Sequence, residues 1–254
     1  MKTVLNYISI DLESWASPNL PEYIGLTSPE KKALDNGHIK ASALQILKLL
    51  KKHNVKLTFF IVGQLYDWYP EIVERIASEG HEIGYHTHSH DDVTSKVNLL
   101  HSLQQSKKFI QRFKPIGFRA PRISFQNNHL HVLKNYGFKY DSSSYGPFSK
   151  KRKIDGVLEI PVTSISKVPM GSGYFMGALG KNIEFVYRNL NNKEIPVISF
   201  IHNWQILRPK NPTFPSTGYV LSHPFYIPYL LNCHDTFEYL ISRFSFTKMK
   251  NLVK

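Results

Sequence analysis

Residues 56–90 read KLTFFIVGQLYDWYPEIVERIASEGHEIGYHTHSH. Lys56 to Val62 is a short, nearly continuous apolar run rich in residues that favour strands. A helix is expected from about Pro70 to Ser78, with Pro70 suited to its first turn and Gly80 just beyond its end. Glu82 to His86 then reads as a second strand, running into three histidines within five residues. A strand, a helix and a strand within so short a span form a parallel unit, because an antiparallel pair would need only a tight turn.

The same alternation extends in both directions. Upstream, Val4 to Leu12 sets Ile8, Ile10 and Leu12 against Ser9 and Asp11, the pattern of a strand with two distinct faces. His38 to His53 spaces Ile39, Ala43, Ile46, Leu47 and Leu50 as a helix. Downstream, a helix through Val97, Leu100, Leu103, Ile110 and Phe113 precedes a strand at Gly117 to Ala120. A helix near Asn127 to Tyr136 follows, then strands near Phe138 to Ser142 and Leu158 to Val162. Helix Lys181 to Leu190 leads to strand Val197 to His202, and a last helix spans about Asp235 to Phe244. The expected fold is α/β, an α/β barrel or doubly wound sheet, in a single domain over residues 1–254. Within it, 206–254 comprise an irregular Pro- and aromatic-rich segment, a C-terminal helix and a basic tail. The stretch from Gln205 to Tyr229 is long enough to form a wall of a binding site.

Thirty-two Lys+Arg against 19 Asp+Glu give a net charge of +13, which favours an anionic partner. The charge is scattered, with clusters only at Lys150–Lys153 and in the tail from Lys248, and no nucleic-acid partner is expected. The single Cys233 excludes an intrachain disulfide, and no run approaches the roughly 18 apolar residues of a membrane span. The apolar start is interrupted by Asn6 and ends at Asp11, so the expected location is cytoplasmic, with peripheral contact to the inner face of the membrane through the basic surface.

Chemically capable residues fall at the ends of separate strands: Asp11 and Glu13, His86 to His90, Arg119, Asp141 and His202. In parallel α/β folds the strand C-termini converge on one face, so these residues can share one pocket. Asp11 and Glu13, two apart, lie on the same face of an extended strand, where mutual repulsion favours a cation or shared proton between them. Three closely spaced imidazoles offer several ways for two to meet one metal ion.

In order, these segments resemble the polysaccharide deacetylase family, the chitooligosaccharide deacetylase homology domain of carbohydrate esterase family four, and within it an exopolysaccharide-locus branch. His86-Thr87-x-Ser89-His90 resembles its metal motif, and Asp11-x-Glu13 its paired acids. Arg119-x-Pro121, Asp141-Ser142-Ser143 and Ile201-His202-Asn203-Trp204-Gln205 are similar to its later motifs. The resemblance implies a distorted (β/α) barrel with about seven parallel strands and one divalent metal ion, Zn²⁺ by expectation. It implies Glu13, His86 and His90 as ligands, Asp11 as general base with Arg119 as its partner, His202 as general acid and Asp141 as the residue orienting it. Arg122, Trp204, Trp15 and Tyr174 are expected to contact substrate, and His88 to stay out of the metal shell. The implied reaction is hydrolysis of an N-acyl group, acetyl or formyl, from an amino sugar of a surface polysaccharide or of its lipid- or nucleotide-linked precursor. Other classes fit parts of the pattern: a hydrolase of a non-sugar C–N bond, a non-haem Fe(II) oxygenase, which also uses two histidines and a carboxylate, and a non-catalytic glycan-binding relative.

Overall fold

The computed structural model describes residues 4–17, 23, 25–210, 220–221, 227 and 230–253. Most of the expected wall from Gln205 to Tyr229 lies outside these residues. Strands β1 (Leu5–Leu12), β2 (Thr58–Ile61), β3 (Glu82–Tyr85), β4 (Gly117–Phe118) and β5 (Tyr140–Asp141) pair in succession, all parallel. The chain resumes after β5 as β6 (Tyr145–Gly146), then turns through β7 (Arg152–Ile154) and β8 (Val157–Glu159) into β9 (Val162–Thr163). The β8–β9 stretch runs parallel to β5–β6, while β7 is an antiparallel flap on β8 that carries the basic cluster of Lys150–Lys153. Strand β10 (Ile198–His202) pairs parallel to β1 on the other side. Counted as staves, β1 to β4, β5–β6, β8–β9 and β10 are the seven parallel strands expected.

Closure between β9 and β10 is made through one glycine. Gly171 N–H donates to the Thr163 carbonyl at 2.8 Å, Phe200 N–H to the Gly171 carbonyl at 2.9 Å, and Ile198 N–H to Thr163 Oγ1 at 2.8 Å. A Cβ on Gly171 would stand 2.3 Å from the Ile198 carbonyl oxygen, so only glycine permits this approach.

Ten helices surround the staves among the described residues: α1 (Ser28–Asp35), α2 (His38–Lys52), α3 (Leu65–Trp68), α4 (Pro70–Ser78), α5 (Lys96–Gln105), α6 (Lys107–Phe113), α7 (Leu130–Asn135), α8 (Gly173–Leu179), α9 (Glu184–Asn191) and α10 (His234–Arg243). None is long and apolar enough to cross a membrane. The helix expected over 97–113 is two, α5 and α6, divided at Ser106. The alternation in β1 sorts its side chains. Ile8, Ile10 and Leu12 join the large core beneath the helices, whereas Tyr7 packs in the barrel interior with Phe60, Tyr140, Ile160, Ile198 and Met249. The lower end is closed by β11 (Ser245–Phe246), parallel to β1, and by the turn at Met249–Leu252, where Met249 N–H donates to Thr58 Oγ1 and Lys250 N–H to Glu82 Oε2. The upper end is left for the site.

Gly171→Ala is expected to destabilise the protein by about 1–3 kcal/mol, because a backbone carbonyl cannot move aside as a side chain can. Gly25→Ala, with nothing within 4 Å of the added carbon, is the matched control. Urea unfolding midpoints measure both. Equal midpoints would show that barrel closure does not depend on this contact.

Candidate active site

The ends of β1, β3, β4 and β10 bring six of the expected residues together. Glu13, just past β1, is 1% exposed. Its Oε2 lies 3.0 Å from His90 Nε2 and 3.6 Å from His86 Nε2, and its Oε1 lies 3.6 Å from His202 Nε2. Burial pushes the Glu13 carboxyl up, but His90, His202 and His86 outweigh it and hold the group well below the usual carboxylate range. His86 Nδ1 meets the Arg119 carbonyl at 2.8 Å. A carbonyl can only accept, so Nδ1 carries a proton, and Nε2 is the ring atom that faces Glu13.

The loop carrying the second histidine is strained and held. Thr87 and His90 adopt φ of 61° and 62°, uncommon for residues other than glycine. Asp91 stabilises this turn: Oδ2 accepts from His88 N–H (3.1 Å) and Ser89 N–H (3.3 Å), Oδ1 from Ser89 Oγ (2.5 Å), while Asp91 N–H donates to Thr87 Oγ1 (2.9 Å). His88 is turned away, with Nδ1 at 3.0 Å from Ser106 Oγ. An aspartate immediately after Ser-His is a local turn former, and this organising role was legible in principle from that pattern.

Ligand atoms of Glu13, His86 and His90 all lie within 4.8 Å of one another. Glu13 Oε2 is buried and accepts no well-formed hydrogen bond, its near neighbours being the His90 and His86 imidazoles; an oxygen left so costs roughly 1–3 kcal/mol when nothing satisfies it. One carboxylate and two neutral imidazoles suit a divalent ion of the zinc type and leave coordination positions open, so the residues present fit the expected metal.

Beside this cluster, Arg119 is fully buried and fixes Asp11. Nη1 donates to Asp11 Oδ1 at 2.7 Å and to Ser9 Oγ at 2.6 Å, Nε to the Ser142 carbonyl at 3.1 Å, and Nη2 to Ser142 Oγ at 2.9 Å. The guanidinium lies 4.3 Å from the Phe60 ring centroid and 5.1 Å from that of Phe200. Asp11 Oδ2 makes no hydrogen bond among the described residues.

The expected role of Asp141 is not what the structure shows. Its carboxylate accepts from Ser143 Oγ (2.5 Å) and Ser143 N–H (3.1 Å), and Ser143 Oγ in turn accepts from Ala120 N–H (2.7 Å). Burial pushes Asp141 up to about 7 despite the Ser143 bonds. It therefore braces the Arg119–Ala120 segment, and among the described residues it makes no hydrogen bond to His202. His202 is oriented by Gln205, whose Oε1 lies 3.2 Å from Nδ1 and accepts the His202 N–H at 3.0 Å, and by Trp204, stacked on the ring at 4.4 Å and 12°. Gln205 was missed because its reach back to His202 depends on a turn, Asn203–Gln205, that residue types alone do not specify.

The aromatic expectations divide. Trp204 is 3% exposed and donates Nε1–H to Glu13 Oε1 at 3.3 Å, and Trp15 is fully buried in a cluster with Ala16, Tyr23 and Trp204. Neither presents a ring face for a sugar; both support the site from behind. Tyr174 is 36% exposed on α8, next to Gly173, whose carbonyl accepts from Gln205 Nε2 at 3.2 Å. Arg122 is exposed with φ of 57°. Both are available to a ligand.

Residues 33–140 match the polysaccharide deacetylase family model. A peptidoglycan-N-acetylglucosamine deacetylase of Bacillus cereus is 42% identical over 87 residues, 34% of this chain and 31% of that protein. A peptidoglycan deacetylase of Helicobacter pylori is 32% identical over 150 residues, 56% of this chain and 50% of that protein. The matched region thus spans half or less of the length of these relatives. A crystal structure of a candidate polysaccharide deacetylase from Mycobacterium smegmatis shares the fold with a TM-score of 0.70 at 15% identity, over 99% of this chain and 89% of that one. Residues 33–140 thus resemble the polysaccharide deacetylase family model, and the chain shares its fold, a distorted (β/α) barrel, with that solved structure.

Proposed function

We propose that the protein hydrolyses the N-acyl group of an amino sugar in a surface polysaccharide, or in its lipid- or nucleotide-linked precursor, with one divalent metal ion, Zn²⁺, held by Glu13, His86 and His90. The observation that carries this reading is the placement of two separate proton-handling groups around one ligand cluster: Asp11, locked to Arg119, and His202, 3.6 Å from Glu13. A pure binding site has no need of either. When bound, the metal supplies Lewis acidity toward an acyl carbonyl and acidifies water.

The chain's own groups then divide the proton work. Arg119 occupies Asp11 Oδ1, which leaves Oδ2 to take the proton of the attacking water. Ser9 and Ser142 hold the guanidinium, so this carboxylate need not reorganise as charge moves. Gln205 Oε1 accepts from His202 Nδ1, directing Nε2 into the site, where an Nε2–H can be given to the departing amine nitrogen. The amine would otherwise leave as a poorly stable anion. Arg122 and Tyr174 supply the exposed rim for the sugar, and the net charge of +13 supports an anionic glycan met at the inner face of the membrane.

Calorimetric titration of metal-free protein with Zn²⁺ is expected to give one ion per chain. Glu13→Gln, His86→Ala and His90→Ala should each weaken binding by about 100-fold or more, whereas His88→Ala should stay within about threefold. An equal loss in His88→Ala would move the metal elsewhere.

Asp11→Asn is expected to lower kcat/KM for acetate or formate release from N-acylated glucosamine oligomers by about 10²- to 10⁴-fold. Acyl release is measured on the metal-loaded protein. A loss below about tenfold would remove Asp11 as the base, and no release from any amino sugar by the wild type would leave the glycan-binding reading.

A further inference from the structure

The lower end of the barrel, opposite the mouth, carries lysines that the chemistry above does not use. Six gather there: Lys56 before β2, Lys114 before β4, Lys134 near the end of α7, Lys139 before β5, and Lys248 and Lys250 on either side of Met249. Contacts bring most of them to one floor. Lys248 Nζ donates to the Gly80 carbonyl at 3.2 Å, and Lys56 Cε lies 4.0 Å from where a Cβ on that same glycine would stand. Lys250 N–H donates to Glu82 Oε2 at the start of β3. Lys139 N–H donates to the Ile116 carbonyl at 2.7 Å, and its own carbonyl accepts from Leu158 N–H at 2.8 Å. Lys134 packs against Gly156 in the turn between β7 and β8, its Nζ 3.4 Å from a Cβ built there. The cations thus follow the floor from β2 to β8.

Helix dipoles do not account for them all. Cations are expected near helix C-termini, and Lys114 and Lys134 fit that description. Lys56, Lys139, Lys248 and Lys250 lie at no α-helix end. Among the described residues no carboxylate lies within 4.0 Å of the ammonium of Lys56, Lys114, Lys134, Lys139 or Lys250. The exposed or half-buried acids of the lower-end turns are Glu79, already paired with Arg75 at 2.8 Å, Asp155 and Glu194. His81, buried at the same edge, is pushed down to about 4, by burial first and then by Lys56 and Lys248 acting against Glu79. The basic run Lys150–Lys153, by contrast, is partly engaged within the fold: Arg152 pairs with Glu159 at 2.9 Å, and Lys151 Nζ lies 4.9 Å from the Phe148 ring centroid.

Apolar groups stand at the same end. Leu5, the first residue of β1, is 48% exposed, and Tyr136, which caps α7, is 41% exposed. Ile116, Leu252 and Val253 are half-buried around the Met249 turn. Nucleic-acid phosphates would meet the charge but gain nothing from exposed aliphatic carbon, whereas a bilayer interface accommodates both.

We propose that the lower end of the barrel docks on an anionic phospholipid bilayer, with headgroup phosphates against the lysines and Leu5 and Tyr136 entering the interface. The mouth then opens away from the bilayer, toward glycan that projects from it. The inference rests on the membrane contact in the functional reading and gives that contact a face; it uses none of the deacylation chemistry.

Co-sedimentation of the full chain with vesicles tests it, using phosphatidylcholine alone and phosphatidylcholine mixed with phosphatidylglycerol. The wild type should bind the anionic vesicles at least about tenfold more tightly than the neutral ones, and added salt should weaken that binding. Lys56→Gln, Lys139→Gln and Lys250→Gln combined should weaken it by about 100-fold, since each lysine near such a surface adds roughly fivefold. These three side chains make no hydrogen bond among the described residues, so the variant is expected to fold, and its thermal midpoint checks this. The control, Lys96→Gln, Lys107→Gln and Lys181→Gln, removes the same charge from exposed positions at or just before helix starts, and should cost less than about threefold. Equal losses in the two triple variants, equal binding to both kinds of vesicle, or binding to duplex DNA through the floor lysines without binding to vesicles would overturn the proposal. Acyl release from soluble amino sugars should be unchanged by the floor substitutions, so the deacylase reading and this one fail separately.

Discussion

The guanidinium of Arg119 is the interaction on which the upper end of the barrel depends. It is a full positive charge with no exposure to water, and it is tolerable because Asp11 balances it and two serines and a backbone carbonyl take three of its other four hydrogens. Breaking such a buried pair from one side typically costs about 3–5 kcal/mol, since the other charge is left uncompensated. Its reach explains its importance. Through side chain and carbonyl, Arg119 joins β1, the histidine loop after β3, its own strand end after β4 and the Ser142 segment after β5. The aromatic faces of Phe60 and Phe200 on β2 and β10 enclose it. One residue thus fixes the proposed base and the tautomer of a ligand histidine at the same time.

The division of labour along β1 follows from strand periodicity. Alternate residues face the helices and build the apolar core, while the opposite set runs from Tyr7 through Ser9 and Asp11 toward the mouth. Packing below therefore sets the positions of the polar groups above. The turn at Met249–Leu252 and the Gly171 contact close the bottom and side of the same barrel, so elements remote from the site hold its staves in register.

Strands and helices were largely readable in the sequence because periodicity is a local property, whereas the choice of Glu13, His86 and His90 among the carboxylates and histidines came from the family resemblance alone. The helix Pro70–Ser78 has the bounds its flanking Pro70 and Gly80 imply, and Glu13, His86 and His90 meet as their strand-end positions require. What sequence could not supply was contact across the fold. Asp141 carries the residue type suited to orienting an imidazole, yet Ser143, two positions on, captures its carboxylate and relays it to Ala120. Trp15 and Trp204 look suited to stacking on sugars, but burial and the bond to Glu13 make them supports. Helix α1 was not expected, since its apolar periodicity is poor: its buried residues are Lys31 and Asp35, and Leu34 packs partly buried against the Trp15 cluster.

The central claim is that one carboxylate and two imidazoles share one metal ion. X-ray absorption at the zinc edge of the loaded protein tests it most directly, because imidazole rings leave a distinct scattering signature. The account predicts two imidazoles with oxygen completing the set. One imidazole or none, a third one from His88 or His202, or sulfur from Cys233, would contradict it.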